Sequence, residues 1–538
     1  MQHNIENKTD KQFLHHFYWL SFLAGASLVF AFAPISLYPI GWLSPAVLFY
    51  TLLQANNIKE HFYLAWLYGI GMFGTGVSWI FYSMHFYAHA SVPVAATFTT
   101  LFVVIIALII GLFGLLTWLF KDHHKIARLL FFYPLLWVLI EWFRGWFLTG
   151  FPWLYLGNSQ IDNVLANIAP VTGVLGVSLL TVLLAGAIAS LLVFKQANQL
   201  LWVDIPNSNH IKVQSKHRYT HQLIAISIIL SVFLGSWSLG KIIWTQPKGD
   251  SITVSLIQGN ILQEEKWLPE NKPSTLALYK KLTQENWKSD LIIWPETAIP
   301  DLFSRNMEDF IIPLQKEAEA NNTDLLLGAF YQNEQGKIEN SVLALSQGGR
   351  DIYSKQHLVP FSEYIPLLGY LRWLNQWMQM PSDNLNAGTG KNTLKLSDNI
   401  AQISICYEDA YANEILKGLP QANMLINVSN DGWFTGSIEP HQHMEIARMR
   451  AIETGRYLLR ATNVGVSGIV NTKGQLVATA PPYSTEVITH QVQPFTGSTP
   501  FIRWGNWGII ILVSLLLLLG YFIMARAKKE DCQEMRIQ

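Results

Sequence analysis

The sequence is poor in cysteine and in charge, and each shortage removes a class of protein. Two cysteines in 538 residues exclude a disulfide-stapled scaffold. Charged residues make up 14% of the chain, against roughly 25% in an ordinary soluble domain, so a wholly soluble protein is excluded. Lys plus Arg and Asp plus Glu balance at 37 each. A chain with no net charge offers no basic field to nucleic acid. Solenoid repeats and low-complexity tracts are also missing, so the length reads as domains.

What the chain does have is apolar and aromatic sequence, unevenly placed. Residues 17 to about 244 are dominated by apolar runs, whereas 248 to about 500 read as a soluble α/β protein. A membrane span needs about 20 apolar residues at about 1.5 Å rise each. Runs at 62–83, 92–120, 126–147, 164–194, 223–239 and 507–525 meet this. The stretch 18–53 is long enough for two more, broken near Pro34 and Pro39. The expectation is eight spans. The first is an uncleaved anchor, because no small-residue cleavage site follows it.

Orientation follows the Lys and Arg of the short loops. Eight spans with a cytoplasmic N-terminus put Lys121–Lys125, the 195–221 loop and the tail Arg526-Ala527-Lys528-Lys529 inside. The loop 84–91, on the other side, has neither Lys nor Arg, and Arg144 is the main exception. The expected layout is a transmembrane domain of about seven spans over 1–246, an extracytoplasmic domain over 247–500, and a last span with a cytoplasmic tail over 501–538. The two cysteines, Cys406 and Cys532, then lie on opposite sides of the bilayer and cannot pair.

Within 247–500 the period alternates. Strands are read at 252–256, 291–294, 325–329, 403–406 and 424–428, with a hairpin of 341–345 and 352–355 turning at Gly348-Gly349. Helices are read at 276–287, 306–320 and 443–456. Such alternation predicts a layered α/β domain around a buried sheet.

Three chemically useful residues end apolar strand-like runs: Glu296 after Leu291-Ile-Ile-Trp-Pro, Lys355 after Asp351-Ile-Tyr-Ser, and Cys406 after Ile403-Ser-Ile. Strand ends of an α/β sheet can converge on one crevice from distant parts of a chain. A carboxylate, an ammonium and a thiol together make an acyl-transfer set of base, oxyanion partner and nucleophile. Taken singly, each has an ordinary explanation: a solvated strand end for Glu or Lys, a small core residue for Cys.

The flanking residues tip that balance. Trp294-Pro295-Glu296, Lys355-Gln-His-Leu-Val-Pro-Phe-Ser-Glu363 and Ile405-Cys406-Tyr407-Glu408 resemble the Glu-Lys-Cys triad of the nitrilase superfamily. The match is closer to its membrane branch, the apolipoprotein N-acyltransferases. It extends to Gln258-Gly259-Asn260-Ile261, Lys266-Trp267, Asn427–Phe434, His441–Met444 and Arg448–Arg450, and in the apolar half to Gly150–Gly157. The resemblance implies a four-layer αββα sandwich carried on a polytopic α-helical membrane domain. It implies Glu296 as general base, Lys355 as oxyanion partner with the Tyr407 N–H, Cys406 as nucleophile, and Trp267, Glu363, Tyr407 and Glu408 shaping the substrate site. It further implies a phospholipid acyl donor, a diacylglyceryl apolipoprotein acceptor, a bacterial inner membrane with the catalytic domain facing the periplasm, a monomer, and no cofactor or metal.

Several other patterns carry less. The segment 367–378 places Leu367, Leu371, Leu374 and Met378 at helical spacing among Tyr370, Trp373 and Trp377. It reads as a core helix or as a lid dipping into the outer leaflet, and its place just after Glu363 favours the lid. Gly69-x-Gly71-x-x-Gly74 fits a dinucleotide fingerprint but lies inside a span, where glycines serve helix packing. His441-x-His443-x-Glu445 has metal-like residues, yet i and i+2 do not share a helix face. Glu141 and Arg144, at the outer end of the fifth span, fit either a mutual pair or a headgroup contact. A membrane-tethered amidase using the same three residues is the alternative function. It leaves unexplained why about seven spans precede the domain.

Overall fold

The computed structural model describes residues 2–197, 217–365, 377 and 385–537, with side chains over 15–193, 221–365, 377 and 385–523. The aromatic segment read as a lid lies outside the described residues, apart from Trp377. The chain divides into two units: residues 1–78, 100–242 and 506–538 form one, and 79–99 with 243–505 form the other.

The first unit is helical. Val92–Trp118, Lys125–Arg144, Val164–Val193 and His221–Leu239 are each long and apolar enough to cross a membrane, among the described residues. The helices Ile58–Gly76 and Trp79–Tyr87, bent by 51°, make a fifth if taken as one span. Ile40–Leu52 and Trp507–Ile523 are apolar but shorter. At about 1.5 Å per residue the former reaches only about 20 Å, short of a hydrocarbon core of about 30 Å. The glycines of the discounted fingerprint do serve packing. A Cβ on Gly71 would come within 2.2 Å of the Phe22 carbonyl oxygen, and one on Gly25 within 2.0 Å of that of Tyr68. Helices Gln2–Ser27 and Ile58–Gly76 therefore cross backbone to backbone.

The second unit holds fourteen strands among the described residues: β1 (Thr245–Pro247), β2 (Ile252–Gln258), β3 (Leu291–Ile293), β4 (Asp324–Gln332), β5 (Ile338–Ser346), β6 (Gly349–Ser354), β7 (Thr393–Lys395), β8 (Ile400–Ile405), β9 (Met424–Ser429), β10 (Leu458–Thr462), β11 (Gly468–Val470), β12 (Leu476–Thr479), β13 (Glu486–Val492) and β14 (Phe495–Gly497). They make two six-stranded sheets, β13-β2-β3-β4-β5-β6 and β12-β11-β10-β9-β8-β7, plus the β1–β14 pair. Each sheet has a parallel centre, β2-β3-β4 and β8-β9-β10, flanked by antiparallel strands. The sheets pack face to face through Val254, Leu256, Ile293 and Leu326 of one against Ile403, Ile405, Ile426 and Leu459 of the other. Helices 272–284 and 307–320 cover the outer face of the first sheet through Tyr279, Ile311 and Leu314. Helix Glu439–Thr454 covers the second through Met444, Ala447 and Ala451. The result is an αββα sandwich whose central strands are buried on both faces, which is why β3 and β4 read as short apolar runs.

The segment Trp79–Thr99 joins this unit by its own aromatic contacts. Trp79 meets Phe434 with ring centroids 4.9 Å apart and donates from Nε1 to Gln442 at 3.2 Å. Tyr87 meets Trp433 at 5.7 Å.

Candidate active site

Glu296 sits on the turn that leaves β3. Trp294 fixes the approach: it is buried, stacks on Tyr279 at 4.9 Å and donates from Nε1 to Thr283 at 2.9 Å. The turn lies directly over β4 at Gly328, where a Cβ would meet the Pro295 carbonyl oxygen at 2.3 Å and the Thr297 nitrogen at 2.7 Å. Only glycine lets the backbones approach this closely. From the other side the buried Lys266 donates to the Glu296 carbonyl at 3.1 Å and to Thr297 Oγ1 at 2.6 Å. Its neighbour Trp267 is 43% exposed and stacks on Phe330 at 5.6 Å.

Lys355 leaves the β5–β6 hairpin with its own N–H bonded to the Asn340 carbonyl at 2.8 Å. Its ammonium is 1% exposed and lies between two carboxylates, 2.9 Å from Glu363 Oε1 and 3.9 Å from Glu296 Oε1. Asn340, on β5, joins the two acids: its Nδ2 donates to Glu296 at 2.7 Å and to Glu363 at 3.3 Å. Glu363 is in turn pinned by the Val359 N–H at 2.8 Å.

Cys406 follows β8 and begins a short helical turn, Cys406–Ala410. Its φ is +54°, a left-handed conformation uncommon for a residue with a Cβ and typical of functional turns. The Asn427 amide donates to its carbonyl at 2.9 Å. Glu408, fully buried, pins both candidate strand ends at once. One oxygen accepts from the Gln356 and His357 N–H groups at 2.7 and 2.9 Å, the other from the Ile405 N–H and Tyr353 OH at 2.8 Å each. Tyr407 donates to the Leu358 carbonyl at 3.0 Å and presents its ring to Lys355 at 5.8 Å.

The electrostatics follow from burial among like and unlike charges. Burial raises Glu296 above the ordinary carboxylate range, against the pull of Lys355. Burial and the Glu296 carboxylate push the Cys406 thiol up to about 12, with Lys355 opposing. Burial lowers Lys355, but the neighbouring Glu363 and Glu296 carboxylates outweigh it and hold the ammonium above its ordinary pKa. Burial thus keeps the Cys406 thiol protonated, while the carboxylate neighbours keep Lys355 charged.

The fold brings Glu296, Lys355, Glu363, Tyr407 and Cys406 to one end of the facing sheets. Trp267 stands on the adjoining rim, while Glu408 is enclosed beneath it. Sequence reading missed Asn340, whose only signal is an amide in an apolar strand, and the tether role of Lys266. His443 of the discounted metal-like pattern is buried on helix Glu439–Thr454 and bonds Asp409 at 2.9 Å.

Comparison with known proteins agrees with this architecture. Residues 24–187 match the model of the apolipoprotein N-acyltransferase N-terminal domain, and residues 253–501 that of carbon-nitrogen hydrolases. The apolipoprotein N-acyltransferase of Methylococcus capsulatus is 41% identical over 494 residues, covering 91% of this chain and 93% of that one. That of Coxiella burnetii is 36% identical over 505 residues, covering 93% and 99%. Among solved structures, Saccharomyces cerevisiae Nit3, a member of branch 10 of the nitrilase superfamily, aligns at 18% identity and a TM-score of 0.35, over 46% of this chain and 91% of its own. With both halves matched and full-length relatives at this identity, the chain belongs to the apolipoprotein N-acyltransferase family.

Proposed function

We propose that this protein transfers an acyl chain from a membrane phospholipid, through a thioester on Cys406, to the α-amino group of an N-terminal diacylglyceryl-cysteine. The observation that carries the reading is the buried Lys355 ammonium held between Glu363 and Glu296 beside a strained cysteine, in a chain whose first half carries helices long and apolar enough to cross a membrane. Cys406 Sγ attacks the ester carbonyl while Glu296 takes the thiol proton. The oxyanion leans on Lys355 and the Tyr407 N–H. Collapse breaks the ester C–O bond, and Glu296 returns the proton to the departing lysophospholipid. The acceptor amine then attacks the thioester and loses a proton to Glu296, which passes it to the leaving Cys406 sulfur. Glu363 orients Lys355, and Trp267 and Tyr407 wall the acyl site.

The four or five described helices long and apolar enough to cross support a membrane domain, which is read as eight crossings with 1–246 and 501–538 in the membrane and 247–500 on its outer side. The basic loops support a cytoplasmic N-terminus, so the site faces the periplasm of a bacterial inner membrane. A monomer without cofactor suffices for this chemistry. What separates transfer from hydrolysis is exclusion of water from the thioester, which a lipid-embedded mouth would provide.

The test is intact-mass spectrometry of the purified protein incubated with phospholipid, with and without a diacylglyceryl lipopeptide. The expected result is an acyl adduct on Cys406 that disappears as the lipopeptide gains one amide-linked chain. An adduct that decays to free fatty acid, leaving the lipopeptide unchanged, would establish the amidase-type alternative instead.

A further inference from the structure

Behind the Cys406 turn lies a group of buried charges that the acyl-transfer steps never touch. Arg460, on β10 and fully buried, donates to Asp409 Oδ2 at 3.2 Å, to both oxygens of Asp431 at 3.1 and 3.0 Å, and to the side-chain carbonyl of Asn427. His443 holds the other oxygen of Asp409 through Nε2 at 2.9 Å. Asp431, Glu439 and His443 gather closely enough to suggest a divalent cation site. The Arg460 guanidinium, however, already lies within hydrogen-bond distance of Asp431 and of His443 Nδ1. The chain supplies its own cation there.

The two ends of the Cys406–Ala410 turn meet in this group. At its first residue, the Asn427 amide, itself held by Arg460, donates to the Cys406 carbonyl at 2.9 Å and to Ser404 Oγ at 3.0 Å. At its fourth, the Asp409 carboxylate is divided between Arg460 and His443. A left-handed cysteine persists only where its surroundings fix it. Here the fixing groups converge on one planar, multidentate donor, a geometry a point charge cannot reproduce.

We propose that Arg460 is the positioning residue of the nucleophile: through Asn427 and Asp409 it holds the turn that aims Cys406 Sγ and the Tyr407 N–H at the acyl carbon. This rests on Cys406 being the acylated residue. Arg460 touches neither donor nor acceptor, so its loss acts on the rate of acylation and leaves lipid binding alone.

The experiment is single-turnover acylation of the full chain in detergent with phospholipid, read as the Cys406 acyl adduct by intact mass. The variants are Arg460→Lys, Arg460→Ala and Asn427→Ala. Arg460→Lys and Asn427→Ala are expected to slow adduct formation by about ten- to a hundredfold, the scale of a misaimed reacting group, with the half-saturating phospholipid concentration unchanged. Combining the two costs no more than the worse single change, since both cut one chain of contacts. Added guanidinium partly restores Arg460→Ala and does nothing for Asn427→Ala. Should the Arg460 variants fail to fold, Asn427→Ala and Asp409→Asn decide together, because these are the two contacts through which Arg460 acts on the turn. Folded variants that acylate within twofold of the wild type overturn the proposal, as does a loss seen only in lipid affinity. A wild-type protein that never gains an acyl group on Cys406 removes the nucleophile reading on which it stands.

Discussion

Glu408 offers the sharpest test of how the site is held, because one buried carboxylate ties the segments bearing Lys355 and Cys406. Its four donors are the N–H groups of Gln356, His357 and Ile405 and the hydroxyl of Tyr353. In Glu408→Gln the amide oxygen can keep the Gln356–His357 pair, while the NH2 faces the Ile405 N–H and Tyr353. The tyrosine hydroxyl can turn to accept from it, but the Ile405 N–H cannot. One buried donor is left unpaired, at a cost of about 1–3 kcal/mol. Glu408→Ala strands both the Ile405 N–H and the Tyr353 hydroxyl in the interior, for roughly 2–6 kcal/mol. At about 2–4 °C per kcal/mol for a domain of this size, both variants melt measurably lower, Ala below Gln. Because Ile405 precedes Cys406 and Gln356 follows Lys355, turnover falls with stability. Thermal unfolding in detergent and the acylation assay measure the two together. A Glu408→Gln protein with wild-type melting and turnover but weakened substrate affinity would falsify the tether and make Glu408 a substrate contact.

Other expectations follow from the same geometry. Iodoacetamide should alkylate Cys406 at a rate still climbing at pH 10, since the thiol is pushed up to about 12. Glu296→Gln, lacking the negative charge that raises it, should shift the curve to lower pH; a wild-type plateau below pH 9 would mean a resting thiolate. On the proposed role of Glu296 as an ionised base, and with its pKa raised above the usual carboxylate range, activity should be lost on acidification at a pH above that of an ordinary glutamate; an acid limb at or below about pH 4 contradicts that role. Lys355→Met leaves two buried carboxylates without their cation. Breaking such a pair costs about 3–5 kcal/mol, and losing an oxyanion donor slows acylation about 10²–10³-fold. An adduct forming within tenfold of the wild-type rate would remove Lys355 from the chemistry. Trp267→Ala, on the exposed rim, should raise the KM for phospholipid with melting unchanged. Lower melting with normal KM would make the indole scaffold.

Much of this protein is written in its composition and local pattern. The apolar stretches are helical over most of their described length, residues 32–39 aside, because a helix satisfies its own backbone in lipid. The central strands β3, β4, β8 and β9 are legible as short apolar runs because each is buried on both faces, and β2 by its alternation of Ile252, Val254 and Leu256 with Thr253 and Ser255. The strands from β10 onward are not. Arg460 and Thr462 interrupt the apolar run of β10, and β13 alternates between exposed and buried as an edge strand does. Their pairing partners lie far away in the chain, β13 beside β2. The residues at the strand ends, Glu296, Lys355 and Cys406, stand out by chemical type, since an acid, a lysine and a thiol closing apolar runs have little structural reason to recur.

Which of those residues meet, and what holds them, belongs to the tertiary structure. No local pattern says that Asn340 bridges Glu296 to Glu363, or that Glu408 is enclosed while its neighbour Tyr407 faces Lys355. The His443 pattern looks like metal chemistry in one dimension. In three, an arginine from another strand occupies the place of the ion. The sequence by itself determined the kinds of element and the chemical groups on offer, because burial period and residue type are local. The site was decided by folding, because it depends on side chains that approach one another across two facing sheets and are held there by buried polar bonds such as Asn340 with Glu296 and Glu408 with Tyr353, whose partners are far apart in the chain.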